Sequence, residues 1–278
     1  MTAIPGFPVQ RVHQPGRHVR LEALPHGVMR LVLARPAVRN AFDAAMVSEI
    51  SGALGALAHA PLGAEVRVLL LEGEGESFCA GGDLAYMKAQ AAATPDENLD
   101  DARALGRMFE RLASFPVPVI CHVQGAAIGG GLGLAVCSDY VLADAAAVFA
   151  TPEVRLGLVP GLISPYVVRR LGVAQAAPLL LTGVRVKAAE GLRSGLVQRV
   201  LGQSEAAGEV LAELLGQFLA AGPGAARRTK ALLLRALPLP DAGLLEFTAQ
   251  ASAEARVSAE GQEGLRAFFE KAAPRWVP

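Results

Sequence analysis

The chain has 278 residues, 52% of them apolar, which is enough for one large core, with or without a small second one, and argues against wholesale disorder. Lysine plus arginine and aspartate plus glutamate number 26 each, so the net charge is zero; this disfavours a nucleic-acid binder with its basic excess and leaves little repulsion between copies. Three widely spaced cysteines, Cys79, Cys121 and Cys137, form no CxxC pair, which argues against a disulfide framework and fits a reducing compartment such as the cytoplasm.

The first eighteen residues carry no apolar leader core and two early prolines, and they read as a loose arm. Val28–Leu33 is predicted as a strand, and Ala41–Leu57 as a helix with Phe42, Met46, Ile50, Leu54 and Leu57 at helical spacing. Val66–Leu71, between Gly63 and Gly73, reads as a buried strand. The polar stretch around Thr94 and Pro95 is expected to be a mobile loop, followed by a helix over Ala102–Leu112. Val117–Val123 reads as another buried strand, and Val136–Leu142 and the region of Phe149 as short β segments. The stretch from Leu112 to Ser138 has no charged residue, yet Pro116, Pro118 and five glycines make a membrane span untenable there. From Glu205 the pattern is helical, with breaks at Gly222–Gly224 and Pro238–Pro240. The alternation predicts an α/β fold with crossover connections: an arm over 1–18, a core over 19–204 and a helical subdomain over 205–278.

Three segments carry candidate chemistry. In Ser77–Leu84 two glycines let the backbone approach a ligand, the amide of Gly82 has no side chain in front of it, and Asp83 is placed to cap the next helix. In Gln124–Leu134 a glycine run leads from a strand into an apolar helix beginning near Leu132; free N–H groups there suit an anion or a developing oxyanion. Tight helix–strand packing would demand the same small residues. In Phe149–Gly161, Glu153 sits in apolar surroundings that would raise its pKa toward neutrality, although a surface position is the usual fate of glutamate. The five histidines form no metal-ligand spacing, so no metal is expected. His122 reads as a core residue with one hydrogen bond, and Cys79 as a small buried thiol. No GxSxG elbow or phosphate-binding glycine loop is present.

Taken in order, these segments resemble the crotonase superfamily of enoyl-CoA hydratases and isomerases. The resemblance runs from Leu33-Ala34-Arg35-Pro36 and Arg39-Asn40-Ala41-Phe42 through Phe78–Asp83, Gly125–Gly131 and Pro152-Glu153. It continues into Leu181-Thr182-Gly183, Gly195-Leu196-Val197 and Phe268–Lys271. It implies a spiral of ββα units with a C-terminal helical trimerisation subdomain, assembled as a homotrimer or a dimer of trimers. It also implies an acyl-CoA thioester as partner, with no cofactor beyond the coenzyme A of the substrate. The amides of Gly82 and Gly130 would form an oxyanion hole and Glu153 would be the catalytic carboxyl. Ala80, Asp83 and Gly129 would border the substrate, Arg39 would approach the nucleotide end, and Phe268 and Lys271 would be C-terminal CoA contacts.

Two departures bear on activity. Typical hydratases of this family carry two glutamates, and at the place of the first this chain has Gly133. The segment Pro160–Val168 and the neighbouring Glu153–Leu158 look like bacterial glutaconyl-type hydratases, whose substrates carry a second carboxylate; Arg155 is the expected partner for it. The readings that follow are hydration of a 2-enoyl-CoA, Δ3-Δ2 enoyl-CoA isomerisation with one carboxylate, and an acyl-CoA-binding paralogue with little catalysis. Tyr86, Ser164 and Tyr166 are candidates to replace the absent carboxylate.

Overall fold

Runs of β-branched and other apolar residues form the strands, and each run ends where glycine or a polar turn interrupts it. The computed structural model describes residues 2–13, 16–58, 66–202, 204–237, 241–274 and 276. His59, Gly63 and the predicted break at 238–240 lie outside the described residues. Ten strands form among the described residues: β1 (Arg11–His13), β2 (Val19–Leu24), β3 (Val28–Leu33), β4 (Val68–Gly73), β5 (Val119–Val123), β6 (Ala126–Ile128), β7 (Tyr140–Ala143), β8 (Val148–Ala150), β9 (Val186–Lys187) and β10 (Arg199–Val200). The larger sheet has the order β1-β2-β3-β4-β5-β7-β10 and the smaller β6-β8-β9. From β3 onward every neighbouring pair of the larger sheet is parallel, so each connection must leave the sheet and return.

Those excursions give the molecule its spiral. Ten helices are described: α1 (Ala44–Ala58), α2 (Leu84–Ala91), α3 (Pro95–Ala113), α4 (Gly130–Cys137), α5 (Ser164–Thr182), α6 (Ala188–Ser194), α7 (Ala207–Ala220), α8 (Pro223–Ala236), α9 (Ala242–Val257) and α10 (Ala259–Phe269). After β5 the chain adds β6 and then α4; after β7 it adds β8 and then α5. The two earlier turns replace the second strand by single bridges, Phe42 with Gly82 and Cys79 with Ala127. The predicted α/β class and ββα repeat are therefore those observed.

Alternation along the strands separates two cores. Leu69, Leu71, Val119, Cys121 and Val123 face α1, α3 and α4. Val68, Leu70, Ile120 and Leu142 face the other way and pack with Leu211, Leu214 and Leu215 of α7 and with Ile4. No helix among the described residues is long and apolar enough to cross a membrane.

Several local expectations differ from the structure. The arm is tied down: β1 pairs antiparallel with β2, and the Glu49 carboxylate accepts the amides of Arg17, His18 and Val19 at 2.7–3.0 Å. Helix α1 begins at Ala44 because Phe42 is drawn into its bridge with Gly82 and Asp43 accepts the Met46 amide at 2.8 Å. The expected loop at Thr94 is the start of α3. Thr94 and Glu97 exchange side-chain and backbone hydrogen bonds, and Pro95 takes the first helical position; this capping box is a start signal. Val136 and Cys137 end α4 rather than opening a strand, and α4 itself begins two residues earlier than Leu132.

His122 is a further correction. Its two ring nitrogens meet Glu72 at 3.0 Å and Asp144 at 2.9 Å, two hydrogen bonds rather than one.

Candidate active site

The site grows from two places where ladder bonds skip a glycine. The Phe42 amide donates to the Gly81 carbonyl at 2.7 Å and the Asp83 amide to the Phe42 carbonyl at 2.8 Å. In that parallel pattern the amide of Gly82, between them, points to the opposite side. Gly81 has φ +95°, a conformation that favours glycine. Asp83 then caps α2, accepting the amides of Ala85 and Tyr86 at 2.9 and 3.3 Å, and is held from behind by Arg35 at 3.2 Å.

The second place is the start of α4. The Gly129 amide donates to Ala150 at 2.8 Å, and the next amide, that of Gly130, opens the helix, where no intrahelical acceptor exists. Neither the Gly82 nor the Gly130 amide has an acceptor among the described residues. Packing also demands the glycine at 130: a Cβ there would lie 2.5 Å from Phe42 Cε2.

Glu153 sits in the first turn of a short 3-10 helix, Pro152–Leu156, which Gly157 closes in the left-handed region at φ +66°. Its Oε1 lies so near Gly129 that a Cβ there would come within 2.9 Å. Its Oε2 is inaccessible and has no hydrogen-bond partner among the described residues. Burial pushes the carboxyl up to about 7, against a small opposing effect of its own backbone amide. Gly82, Gly130 and Glu153 line one cavity of about 150 Å³, roomy enough for more than one water molecule. Two unengaged amides beside a carboxyl that holds its proton near neutrality suit a reaction in which a carbonyl oxygen gains charge while a neighbouring carbon gains or loses a proton.

Gly133, in contrast, lies in the core. A Cβ there would meet Ile163 Cγ2 at 2.5 Å and Phe109 Cε1 at 2.7 Å, so no second carboxyl fits without displacing both.

The remaining expected residues are scattered. Ala80 is half-buried beside the site, its amide bonded to the Arg39 carbonyl at 2.9 Å, while Arg39 is exposed. Phe268 is exposed against Phe269, their ring centroids 5.7 Å apart, and Lys271 follows just past α10; neither lines the cavity. Arg155 does not face the cavity: it is exposed and donates to the Thr182 carbonyl at 2.8 Å. Of the three proposed substitutes for the missing carboxylate, Ser164 donates to Gly161 at 3.1 Å. Tyr166 is buried beside Phe109, its hydroxyl without a partner among the described residues. Tyr86 alone lines the cavity, and its hydroxyl donates to Asp101. Burial and that carboxylate push the Tyr86 hydroxyl well above the usual tyrosine range. Cys79 is fully buried, its thiol pushed up to about 12 by burial, as an inert core thiol should be.

Sequence reasoning missed Asp101 and Arg256, which line the same cavity. Asn98, Asp101 and Leu105 fall at helical spacing on α3 and carried a signal. Arg256 comes 155 residues after Asp101, and nothing local announces it.

The chain is similar to known proteins in sequence and fold. Residues 24–277 match the family model described as enoyl-CoA hydratase/isomerase. The solved structure of Pseudomonas aeruginosa AtuE is 40% identical, with TM-score 0.75 over 94% of this chain and 100% of that one. An enoyl-CoA hydratase from Shewanella pealeana is 37% identical, with TM-score 0.74 over 96% and 97%. The crotonyl-CoA hydratase of Syntrophomonas wolfei is 34% identical over 244 residues, 87% of this chain and 91% of that protein.

Proposed function

Because the chain belongs to the enoyl-CoA hydratase/isomerase family, we propose that it adds water across the 2,3 double bond of a 2-enoyl-CoA thioester. The thioester oxygen accepts hydrogen bonds from the amides of Gly82 and Gly130. These donors stabilise the charge that appears on that oxygen as the β-carbon takes up water, more than they stabilise the ground state. The water oxygen bonds to the β-carbon, Glu153 gives its proton to the α-carbon, and the proton lost by the water returns to Glu153. One carboxyl thus closes the cycle, and Gly133 needs no acidic counterpart. The observation that carries this reading is the Glu153 carboxyl, its Oε2 inaccessible and without a partner among the described residues and its pKa pushed up to about 7 by burial, beside two amides without acceptors there.

A single carboxyl also serves Δ3-Δ2 isomerisation, and the apolar filling around Gly133 favours that second reading. Turnover in heavy-oxygen water separates the two: hydration leaves the label on the β-carbon, isomerisation leaves none. An acyl-CoA-binding paralogue would bind the thioester and turn over nothing. Arg39, Phe268 and Lys271 remain the expected contacts for the coenzyme A portion.

Self-association as a trimer or dimer of trimers is part of the same proposal. Leu232 and Leu233 of α8 and Phe247 of α9 are 60–67% exposed, an apolar surface of the kind that oligomers cover. Light scattering that returned a monomer mass would end this part of it.

A further inference from the structure

We propose that Ser252 of α9 holds the attacking water against Glu153. The inference rests on the hydratase reading. A second cavity, of about 110 Å³, shares Gly130 and Glu153 with the first and has ample room for a water molecule. Phe109 and Ile163 line it; they are the side chains that a Cβ at Gly133 would strike. This cavity therefore borders the position that carries no carboxyl. Its opposite wall includes Ser252, which is only 9% exposed and whose Oγ is buried without a partner among the described residues. That oxygen lies against the segment 158–163: a Cβ on Gly161 would come within 2.4 Å of it.

A serine inside a helix commonly returns its hydroxyl to the carbonyl four residues back. The Thr248 carbonyl is at hand beside the same Gly161, yet the Ser252 hydroxyl makes no bond to it. Glu153 Oε2 is likewise unpartnered among the described residues. Two buried polar groups on one cavity, each without a partner, carry a desolvation cost that a shared water removes. Of the described side chains lining the cavity, only Glu153, Ser252 and Arg256 are polar. A guanidinium donates and never accepts, so the two hydrogens of the water go to Glu153 and Ser252. In the reaction the water oxygen forms its bond to the β-carbon while one of its O–H bonds breaks toward Glu153 Oε2. The electron pair of the double bond passes through the thioester oxygen, held by the two amides, into the new C–H bond at the α-carbon, which takes its proton from Glu153 Oε1. Ser252 keeps its own proton throughout and fixes the direction of attack.

The test compares two reactions in Ser252→Ala. Hydration of crotonyl-CoA needs the water; exchange of the α-protons of butyryl-CoA in heavy water needs only the two amides and Glu153. The expected result is a loss of at least tenfold in hydration, with α-proton exchange and butyryl-CoA affinity each within about twofold of the unmodified protein. Unchanged hydration would overturn the proposal. So would a parallel loss of hydration and exchange, which would make Ser252 a support for Glu153 instead of a holder of water. A crystal structure of the unmodified, unliganded protein supplies a second readout: a water within about 2.5–3.0 Å of both Ser252 Oγ and the Glu153 carboxyl is expected, and its absence would also overturn the proposal. Failure here is separable from failure of the hydratase reading. Hydration that Ser252→Ala leaves intact removes only the water site. An ordered water on both oxygens, without hydration of any 2-enoyl-CoA, removes only the hydratase.

Discussion

A network of buried ionisable groups and the Glu153 carboxyl are built on opposite rules in this molecule. On the sheet face that packs against α7, Glu22, Arg30, Glu72 and His122 follow one another across β2, β3, β4 and β5, ending on Asp144. Every charge there meets its opposite. Burial would raise Glu22 and lower His122, but the hydrogen-bonded partners reverse both: Glu22 is lowered and His122 is raised to about 9. Glu153, whose Oε2 is inaccessible, is opposed only by a hydrogen bond to its own backbone, so burial wins and its pKa rises to about 7. The difference teaches that a buried carboxyl is made inert or reactive by what faces it, not by depth alone.

Adding a second uncompensated carboxyl breaks the contrast hardest. Gly133→Glu forces a charged side chain between Ile163 and Phe109 and should cost more than about 4 kcal/mol, read as loss of a cooperative melting transition. A folded variant with added activity would contradict this. Next, Glu153→Gln should lower the turnover rate about 10³-fold while leaving acyl-CoA affinity within a factor of about two; full activity would remove Glu153 from the mechanism. On the compensated side, His122→Gln leaves Glu72 and Asp144 without their cation and should cost about 3 kcal/mol by denaturant unfolding, with turnover per folded molecule unchanged.

Smaller pH effects sharpen the comparison. The raised His122 stabilises the fold fully below pH 6.5 and loses that contribution as pH rises through 9, so the His122→Gln deficit should shrink at alkaline pH. The raised Glu153 likewise favours the fold below its ordinary 4.5, and that contribution is lost as pH rises through about 7. Glu153→Gln should therefore raise Tm by a few degrees at pH 8 and not at pH 5. An unchanged Tm at both would mean that the carboxyl is solvated.

Much of this was legible in the chain itself. Apolar runs gave β3, β4 and β5, and the glycines at 81–82 and 129–131 marked the two turns where backbone amides are left unengaged. What stayed hidden depends on partners distant in sequence. His122 looked like a core residue because Glu72 and Asp144 reach it only once β4, β5 and the end of β7 are side by side. Arg155 is adjacent to the site in sequence yet turns toward Thr182, whereas Arg256 arrives from α9. Thr94-Pro95-Asp96-Glu97 was readable as a capping box, and its acidic, polar composition masked the helix start.

The most direct test is a crystal structure with an unreactive acyl-CoA thioester bound. The account predicts the thioester oxygen 2.7–3.1 Å from the amides of both Gly82 and Gly130, with the Glu153 carboxyl over the α- and β-carbons. An oxygen held anywhere else, or a Glu153 side chain turned away from those carbons, would contradict it.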